Sequence, residues 1–443
     1  MKTPLESVRE YRLVELRAWR ERLVIWMAAI CASLVVVGFT MLTQWCWNET
    51  GKFGGHTGVL SLLLPPLAGM MIVYAVRRWS PAAAGSGIPQ TMAAIESMQR
   101  GESVSKLVSM RIAVAKVGFG AMAVGCGFSM GREGPSVQVA ASVMHAFRHL
   151  LPKGYVIHPR HLVLAGGAAG IAAAFNTPLA GVVFAIEELS RSFEQSTNGV
   201  ILTSIVLSGM VSISLQGNYL YFGHLAVGRV DSQVMLPVLL ISLVCGMLGG
   251  WFSRLLVWSA HPWPGSIGQW REQHPVWFAG VCGLVVGVLG YATHGSVLGS
   301  GYDASRAVLS GSAGEPWTFA PGKYLATLAS YFSGVPGGIF APALSIGVGI
   351  GQDLLPVLGG MVSSASILAL CMTGFLAAVT QAPITSCIIV MEMIDGHEMV
   401  ISLIAVSLFS SLVSRLFSPS LYGTLSRVVG RQPQPVPVPP SPS

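Results

Sequence analysis

Long apolar runs separated by short polar segments dominate the chain. The apolar runs fall at residues 23–43, 57–76, 107–130, 161–186, 199–222, 234–260, 276–293, 321–352, 363–393 and 399–417. Several have roughly the 20 residues that an α-helix needs to cross the hydrocarbon core of a bilayer. Many are interrupted by glycine or proline, which membranes tolerate only where the broken backbone is buried in protein or lines a cavity. The pattern predicts an all-α polytopic membrane protein with broken helices.

The composition agrees with this prediction. Hydrophobic residues make up 52% of the 443 residues and charged residues only 10%, whereas soluble domains carry about 25% charged residues. The net charge of +7 is compatible with a nucleic-acid partner, but the basic residues lie in short clusters between apolar runs, so we expect none. The cysteines form no C-x-x-C pair, and we expect neither a cofactor nor a metal.

Basic residues in short loops predict the orientation. Residues 1–22 are expected to form a charged cytoplasmic helix, after which the first span leads outward to Trp45. The second span returns and ends at Arg77 and Arg78, on the cytoplasmic side again. We expect a membrane domain over 23–430 and a Pro-rich, disordered cytoplasmic tail over 431–443. Both termini then lie in the cytoplasm, and the lipid bilayer surrounds the rest.

An internal repeat relates the two halves of the chain. AAAFNTPLAGVVFAIEE (172–188) resembles AAVTQAPITSCIIVMEM (377–393), and GREGP (131–135) precedes the first copy as GIFAP (338–342) precedes the second. The offset is 207 residues from Pro135 to Pro342 and 205 from Pro178 to Pro383. Such repeats are common in transporters, where the binding site lies at the repeat interface. We place the repeats at roughly 57–220 and 234–417.

Three Gly/Pro-rich motifs carry the candidate chemistry: GSGIP (85–89), GREGP (131–135) and GGIFAP (337–342). Each ends in proline at a predicted helix start, where the missing N–H is not needed. The first amides of a helix lack internal partners and carry a partial positive charge. Three such ends that converge would form an anion site without a full positive charge, from which an ion can also leave. The alternative is three ordinary helix-breaking turns.

In this order, the three motifs resemble the signature of the CLC family of chloride channels and chloride/proton antiporters, in its bacterial type without CBS domains. The resemblance covers about residues 25–430. It implies the CLC fold, with two inverted-topology repeats, and a homodimer in the cell inner membrane with a pore in each subunit. The intact GSGIP and the tyrosine of SPSLYG argue against the fluoride-exporting branch.

The resemblance also implies roles for particular residues. Ser86 and Tyr422 would bind the central chloride through their hydroxyls, and Ile339 and Phe340 through their backbone amides. Glu133 would be the external gate and proton acceptor, and Glu188 the internal proton-transfer site. The remaining members of the expected chloride site are Gly85, Gly87, Arg132 and Gly134.

A carboxylate in the middle of a membrane domain has a physical cost. Insertion scales put an isolated one at about 2.5 kcal/mol or more, and helix amides would offset that cost when Glu133 is ionised. Glu133 would then occupy an anion site with its own side chain until a proton or a competing chloride releases it. The alternative is a structural ion pair with Arg132 or Arg111. Lys116 and Arg111 either raise the local potential or simply face a polar interior.

Glu187 and Glu188 need separate interpretations, because neighbours on an α-helix point about 100° apart. Glu188 follows Pro178 by ten residues, about 15 Å along a helix, so a helix that starts at mid-membrane would bring it to a membrane face. The alternative for Glu188 is a solvated helix end. Glu187 has its repeat mate in Glu392, so we expect a structural role common to both halves, such as capping or a buried hydrogen bond.

We therefore expect an electrogenic chloride/proton antiporter and not an enzyme, since no nucleophile is paired with a base. The alternative is a passive voltage- or pH-gated chloride channel on the same fold. A cation carrier would need carboxylates clustered at mid-membrane, and this chain offers amides instead.

Overall fold

The computed structural model describes residues 4–151, 158–190, 198–217, 220–223, 234–312 and 314–431. In these ranges the protein forms eighteen α-helices and no β-strand. The helices are α1 (Pro4–Lys52), α2 (Leu60–Trp79), α3 (Ile88–Gln99), α4 (Met110–Gly125), α5 (Glu133–Ala146), α6 (Pro159–Phe175), α7 (Pro178–Phe184), α8 (Asn198–Gln216), α9 (Met235–Ser259), α10 (Gly265–Gln273), α11 (Pro275–Ala292), α12 (Tyr302–Leu309), α13 (Phe319–Phe332), α14 (Phe340–Leu358), α15 (Ser364–Thr380), α16 (Pro383–Ile394), α17 (Val400–Arg415) and α18 (Leu421–Arg431).

Seven helical segments in the described ranges are long and apolar enough to cross a membrane. They are Trp19–Lys52, Leu60–Trp79, Gly199–Gln216, Met235–Ser259, Pro275–Ala292, Phe340–Leu358 and His397–Arg415. Large apolar side chains such as Leu63, Leu239 and Leu412 are exposed on their outer faces, as lipid contact requires. The chain is thus a multi-pass membrane protein, as the sequence predicts.

The two ends of the chain differ from the predicted segments in one respect. α1 continues unbroken from Pro4 to Lys52, so no break in the helix marks the expected boundary at residue 22. The helix also extends past Trp45, the predicted exit point. The tail predicted over 431–443 lies outside the described residues except for Arg431, where α18 ends.

Broken helices occur at equivalent places in the two halves. α6 and α7 are separated at Asn176 and Thr177, and α15 and α16 at Gln381 and Ala382. Asn176 and Gln381 both adopt the left-handed conformation, with φ values of 57° and 58°, which is uncommon for residues other than glycine. Each following helix then begins at a proline. These breaks confirm the prediction of interrupted helices and of the 205-residue repeat.

Contacts between the halves are reciprocal. The Gly131 amide donates to the Gly338 carbonyl at 2.8 Å, and the Gly338 amide donates to the Gly131 carbonyl at 2.7 Å. These two residues are equivalent in the repeat, and a contact in which equivalent residues exchange partners indicates a two-fold relation. The architecture is therefore the one expected: an all-α membrane fold of two inverted-topology repeats.

Small residues allow the helices to pack closely. A Cβ at Gly166 or Gly170 of α6 would lie 2.7 Å from the Ala141 Cα or 2.6 Å from the Ser136 carbonyl oxygen of α5. A Cβ at Gly283 of α11 would lie 2.5 Å from the Pro65 carbonyl oxygen of α2. This packing fixes α5, whose first turn carries Glu133, against the rest of the domain.

Candidate anion site at converging helix ends

The three Gly/Pro-rich motifs meet at one place. GREGP and GGIFAP are joined by the paired hydrogen bonds of Gly131 and Gly338, and the Gly337 amide donates to the Gly85 carbonyl at 3.2 Å. A Cβ at Gly134 would lie 2.5 Å from Ser86 Oγ, and one at Gly338 would lie 2.9 Å from the Gly134 nitrogen. Only glycine permits this approach, so the amino-terminal ends of α3, α5 and α14 converge.

Two hydroxyl groups point into this convergence. Ser86 and Tyr422 are 2% and 1% exposed, and neither hydroxyl has a hydrogen-bond partner of good geometry among the described residues. The two side chains nevertheless lie close enough to interact electrostatically. The Tyr422 ring stacks parallel to the Phe340 ring, with centroids 6.1 Å apart. A buried hydroxyl without a partner is costly, and a bound anion would supply the partner for both.

Glu133 is the first residue of α5 and is fully buried. Its Oε1 accepts a hydrogen bond from the Tyr302 hydroxyl at 3.0 Å. Its Oε2 has no partner that meets hydrogen-bond geometry within the described chain, although the carboxyl group interacts with the backbone amides of Glu133 and Ala341. The carboxylate therefore faces the first turns of α5 and α14, where the partial positive charge of the two helices is concentrated.

The described residues show no direct hydrogen bond between Glu133 and either arginine, although Arg132 and Glu133 attract each other electrostatically. Arg111 is exposed on α4. Arg132 directs its Nη2 to the Tyr221 hydroxyl at 3.0 Å instead of to the carboxylate, and Tyr221 in turn donates to the Ala174 carbonyl at 2.7 Å. The Arg132 side chain thus holds a tyrosine, and its backbone lies at the start of α5.

Gly85 and Gly87 each have a hydrogen-bond partner within the protein. The Gly87 amide donates to Gln90 Oε1 at 3.0 Å, so it is not free to bind an anion. The Gly85 carbonyl accepts Lys116 Nζ at 2.8 Å. Lys116 also donates to the Ala83 carbonyl at 3.0 Å, so its ammonium group anchors the turn before α3 through backbone carbonyls.

Glu188 occupies a different environment from the expected one. α7 ends at Phe184, and residues Ala185–Ser190 form a π-helical turn. Glu188 is 3% exposed, so the alternative of a solvated helix end is wrong. Single π-helical turns are rare and are found mostly at functional sites. Tyr422 lies within electrostatic reach of both Glu188 and Glu133.

Glu187 and Glu392 have the structural role predicted for them. The Glu187 carboxylate accepts from the amides of Ile384 at 3.1 Å and Thr385 at 2.6 Å. The Glu392 carboxylate accepts from the amides of Leu179 at 3.2 Å and Ala180 at 2.7 Å. Each acid caps the first turn of the broken helix in the other half. The pair is thus a second reciprocal contact about the same two-fold relation.

The sequence analysis missed Tyr302, Tyr221 and Lys323. A detectable signal existed for two of them, because GSGYD (299–303) repeats the GSG of GSGIP (85–87). Lys323 Nζ donates to the carbonyls of Val297, Leu298 and Gly299, just as Lys116 serves residues 83–85 in the first half. The two lysines are 207 residues apart.

A cavity of about 110 Å³ lies next to Glu133. Its lining includes Gln44, Arg132, Glu133, Ser300, Tyr302 and Asp303. The cavity gives the carboxyl group a neighbouring space large enough for water. Among the described residues, no three His, Cys, Asp or Glu side chains are grouped so that they could hold a metal ion.

Known proteins resemble this chain along most of its length. The model of the voltage gated chloride channel family matches residues 68–415. The H(+)/Cl(-) exchange transporter ClcA of Klebsiella pneumoniae subsp. pneumoniae is 31% identical over 92% of this chain and 89% of its own. The H(+)/Cl(-) exchange transporter ClcA of Citrobacter koseri is 28% identical over 90% of this chain and 87% of its own length.

Solved structures share the fold. A slow cyanobacterial Cl-/H+ antiporter superposes with a TM-score of 0.80 at 23% identity, over 93% of this chain and 99% of its own. A CLC-type fluoride/proton antiporter superposes with a TM-score of 0.77 at 22% identity, over 93% of this chain and 98% of its own. At these identities the likeness establishes the architecture alone.

Proposed function

The chain belongs to the voltage gated chloride channel family, and from that premise we propose that it is an electrogenic chloride/proton antiporter. One observation carries the proposal: the fully buried Glu133 carboxyl group lies where the first turns of α5 and α14 would otherwise attract an anion. A carboxylate in that position can block an anion pathway and take up a proton with the same group. The names of the curated relatives, H(+)/Cl(-) exchange transporters, support this assignment.

Chloride binds between the hydroxyls of Ser86 and Tyr422 and the amides of Ile339 and Phe340. The two hydroxyls are buried donors without a hydrogen-bond partner of good geometry among the described residues, and the helix ends supply a partial positive charge. Because no lysine or arginine head group contributes, the ion is held without a full positive charge and can leave. Gly134 allows α5 to come close enough to Ser86 for this arrangement.

Glu133 acts as the external gate and proton acceptor. When ionised, its carboxylate competes with chloride for the amides at the start of α5 and α14. Protonation removes that attraction, and the neutral side chain moves into the neighbouring cavity. Glu188 acts as the internal proton-transfer site, because it is the second buried acid within electrostatic reach of Tyr422. Both termini lie in the cytoplasm of a cell whose inner membrane holds the protein as a homodimer.

Reconstitution into proteoliposomes tests the proposal. Vesicles are loaded with chloride, diluted into low-chloride buffer at equal pH, and followed with a chloride electrode and a pH electrode together. An antiporter drives protons uphill into the vesicles as chloride leaves, and valinomycin with potassium alters both fluxes because exchange is electrogenic. Chloride efflux without uphill proton movement would instead identify a passive channel.

A further inference from the structure

One tyrosine outside the three motifs contacts the proposed gate. The Tyr302 hydroxyl donates to Glu133 Oε1 at 3.0 Å across a sequence separation of 169 residues. No other side chain in the described part of the chain donates a hydrogen bond to this carboxyl group. Tyr302 also lines the cavity into which a released Glu133 side chain would move. Tyr302 therefore contacts the Glu133 side chain in its blocking position. It also borders the space into which the Glu133 side chain would move when the pathway opens.

The fold holds Tyr302 in this position firmly. It is the first residue of α12, after Gly301, which adopts a left-handed φ of 82°. Lys323 Nζ anchors the turn through the Val297 carbonyl at 3.0 Å and the Gly299 carbonyl at 2.8 Å. The Tyr302 ring packs against the Tyr221 ring, with centroids 4.9 Å apart. The hydroxyl is thus presented by a supported turn, the second-half counterpart of the turn that presents Ser86.

We propose, on the basis of the function proposed above, that Tyr302 is a positioning residue for the gate. Its hydroxyl hydrogen bond stabilises the ionised Glu133 carboxylate in the blocking position. The bond thereby sets how acidic the outer solution, or how concentrated the chloride, must be before the gate opens. Arg132 contributes indirectly, because it binds the hydroxyl of the Tyr221 ring on which Tyr302 packs.

Other charged or titratable groups surround Glu133, and the test must separate them from Tyr302. They are Arg132 at the start of α5, Tyr221 before α9, Tyr302 and Asp303 of α12, and Tyr422 of α18. Among the side chains that the structure describes, Tyr302 alone donates a hydrogen bond to the carboxyl group. Removal of this one hydroxyl leaves every other group of the set in place.

Tyr302→Phe is the direct test, since it deletes the hydroxyl and keeps the ring that packs on Tyr221. Chloride efflux from proteoliposomes is measured between pH 4 and pH 8, with roughly half-unit steps. A protonated gate is open, so flux falls as pH rises. Loss of a donor to the ionised carboxylate makes protonation easier. The pH at which chloride flux is half-maximal should therefore shift upward by about one unit, which is a tenfold change in the proton affinity of Glu133.

Tyr324→Phe is the matched control, because the Tyr324 hydroxyl bonds the Leu248 carbonyl at 3.3 Å, away from the site. It should leave the pH of half-maximal flux unchanged. In a Glu133→Gln background the Tyr302→Phe change should no longer shift any pH dependence. If Tyr302→Phe does not elute as a single folded species, Tyr302→Leu removes the same hydroxyl and should show the same shift.

The outcomes separate this inference from the proposed function. A wild-type protein that moves no protons uphill contradicts the antiporter assignment, whatever Tyr302→Phe does. A second outcome is that the wild-type protein pumps protons while Tyr302→Phe and Tyr324→Phe have the same pH of half-maximal flux. That result overturns the role of Tyr302 and leaves the antiporter assignment standing. A shift that persists in the Glu133→Gln background also overturns it, because the hydroxyl would then act through another group.

Discussion

Neutralising Glu187 or Glu392 should weaken the fold and leave proton coupling intact. Each carboxylate accepts two backbone amides at the first turn of a broken helix in the other repeat, at distances between 2.6 and 3.2 Å. Glutamine keeps one acceptor oxygen, so Glu187→Gln and Glu392→Gln each lose one hydrogen bond to a charged group. They also lose the attraction between a negative charge and a helix amino terminus.

The expected size follows from these two losses. A hydrogen bond to a charged group contributes about 1.5–3 kcal/mol, and the charge at a helix amino terminus contributes about 0.3–1 kcal/mol. Both side chains are partly accessible, which screens the second contribution. We expect each variant to lower the free energy of unfolding by about 2–3 kcal/mol. The two values should be similar because the caps are equivalent.

Equilibrium unfolding in mixed detergent micelles measures this difference. Glu398→Gln is the matched control, since Glu398 is exposed in the turn after α16, and it should leave the stability within about 0.5 kcal/mol of wild type. Proton coupling is measured on the same preparations in proteoliposomes. Unchanged stability in Glu187→Gln would refute the capping role, as would a fully stable Glu187→Gln protein that has lost proton coupling.

Two further substitutions test the proposed pathway. Tyr422→Phe removes one hydroxyl and keeps the ring stack on Phe340, so chloride affinity by calorimetry should fall by about tenfold or more; unchanged affinity in the folded protein would remove Tyr422 from the site. Glu188→Gln should abolish proton movement but leave a pH-dependent chloride flux, because the outer gate can still titrate. Uphill proton movement by Glu188→Gln would show that protons enter by another route.

Local sequence patterns were sufficient for the helix ends and the repeat. Glycine and proline have defined effects on backbone conformation, so GSGIP, GREGP and GGIFAP could be assigned to helix starts, and the spacing of Pro135 and Pro342 showed the two halves. The equivalent positions of Glu187 and Glu392 predicted a shared structural role, which their reciprocal caps confirm.

Long-range contacts were not accessible in this way. The bond between Tyr302 and Glu133 joins residues 169 positions apart, and nothing in GSGYD indicates which carboxylate its tyrosine meets. The use of the Gly87 amide depends on the conformation of the Gln90 side chain. The π-helical turn at Glu188 is likewise set by packing between elements, since the local sequence reads as a continuous α-helix.

The double role of Glu133 is the central claim, and Glu133→Gln in proteoliposomes tests it most directly. Glutamine keeps the size and polarity of the side chain but takes up no proton and competes only weakly with an anion. With chloride and pH recorded together, we predict that chloride efflux continues without a pH dependence and that uphill proton movement is absent. Proton movement against its gradient by Glu133→Gln would contradict the assignment and reduce GREGP to the start of a helix.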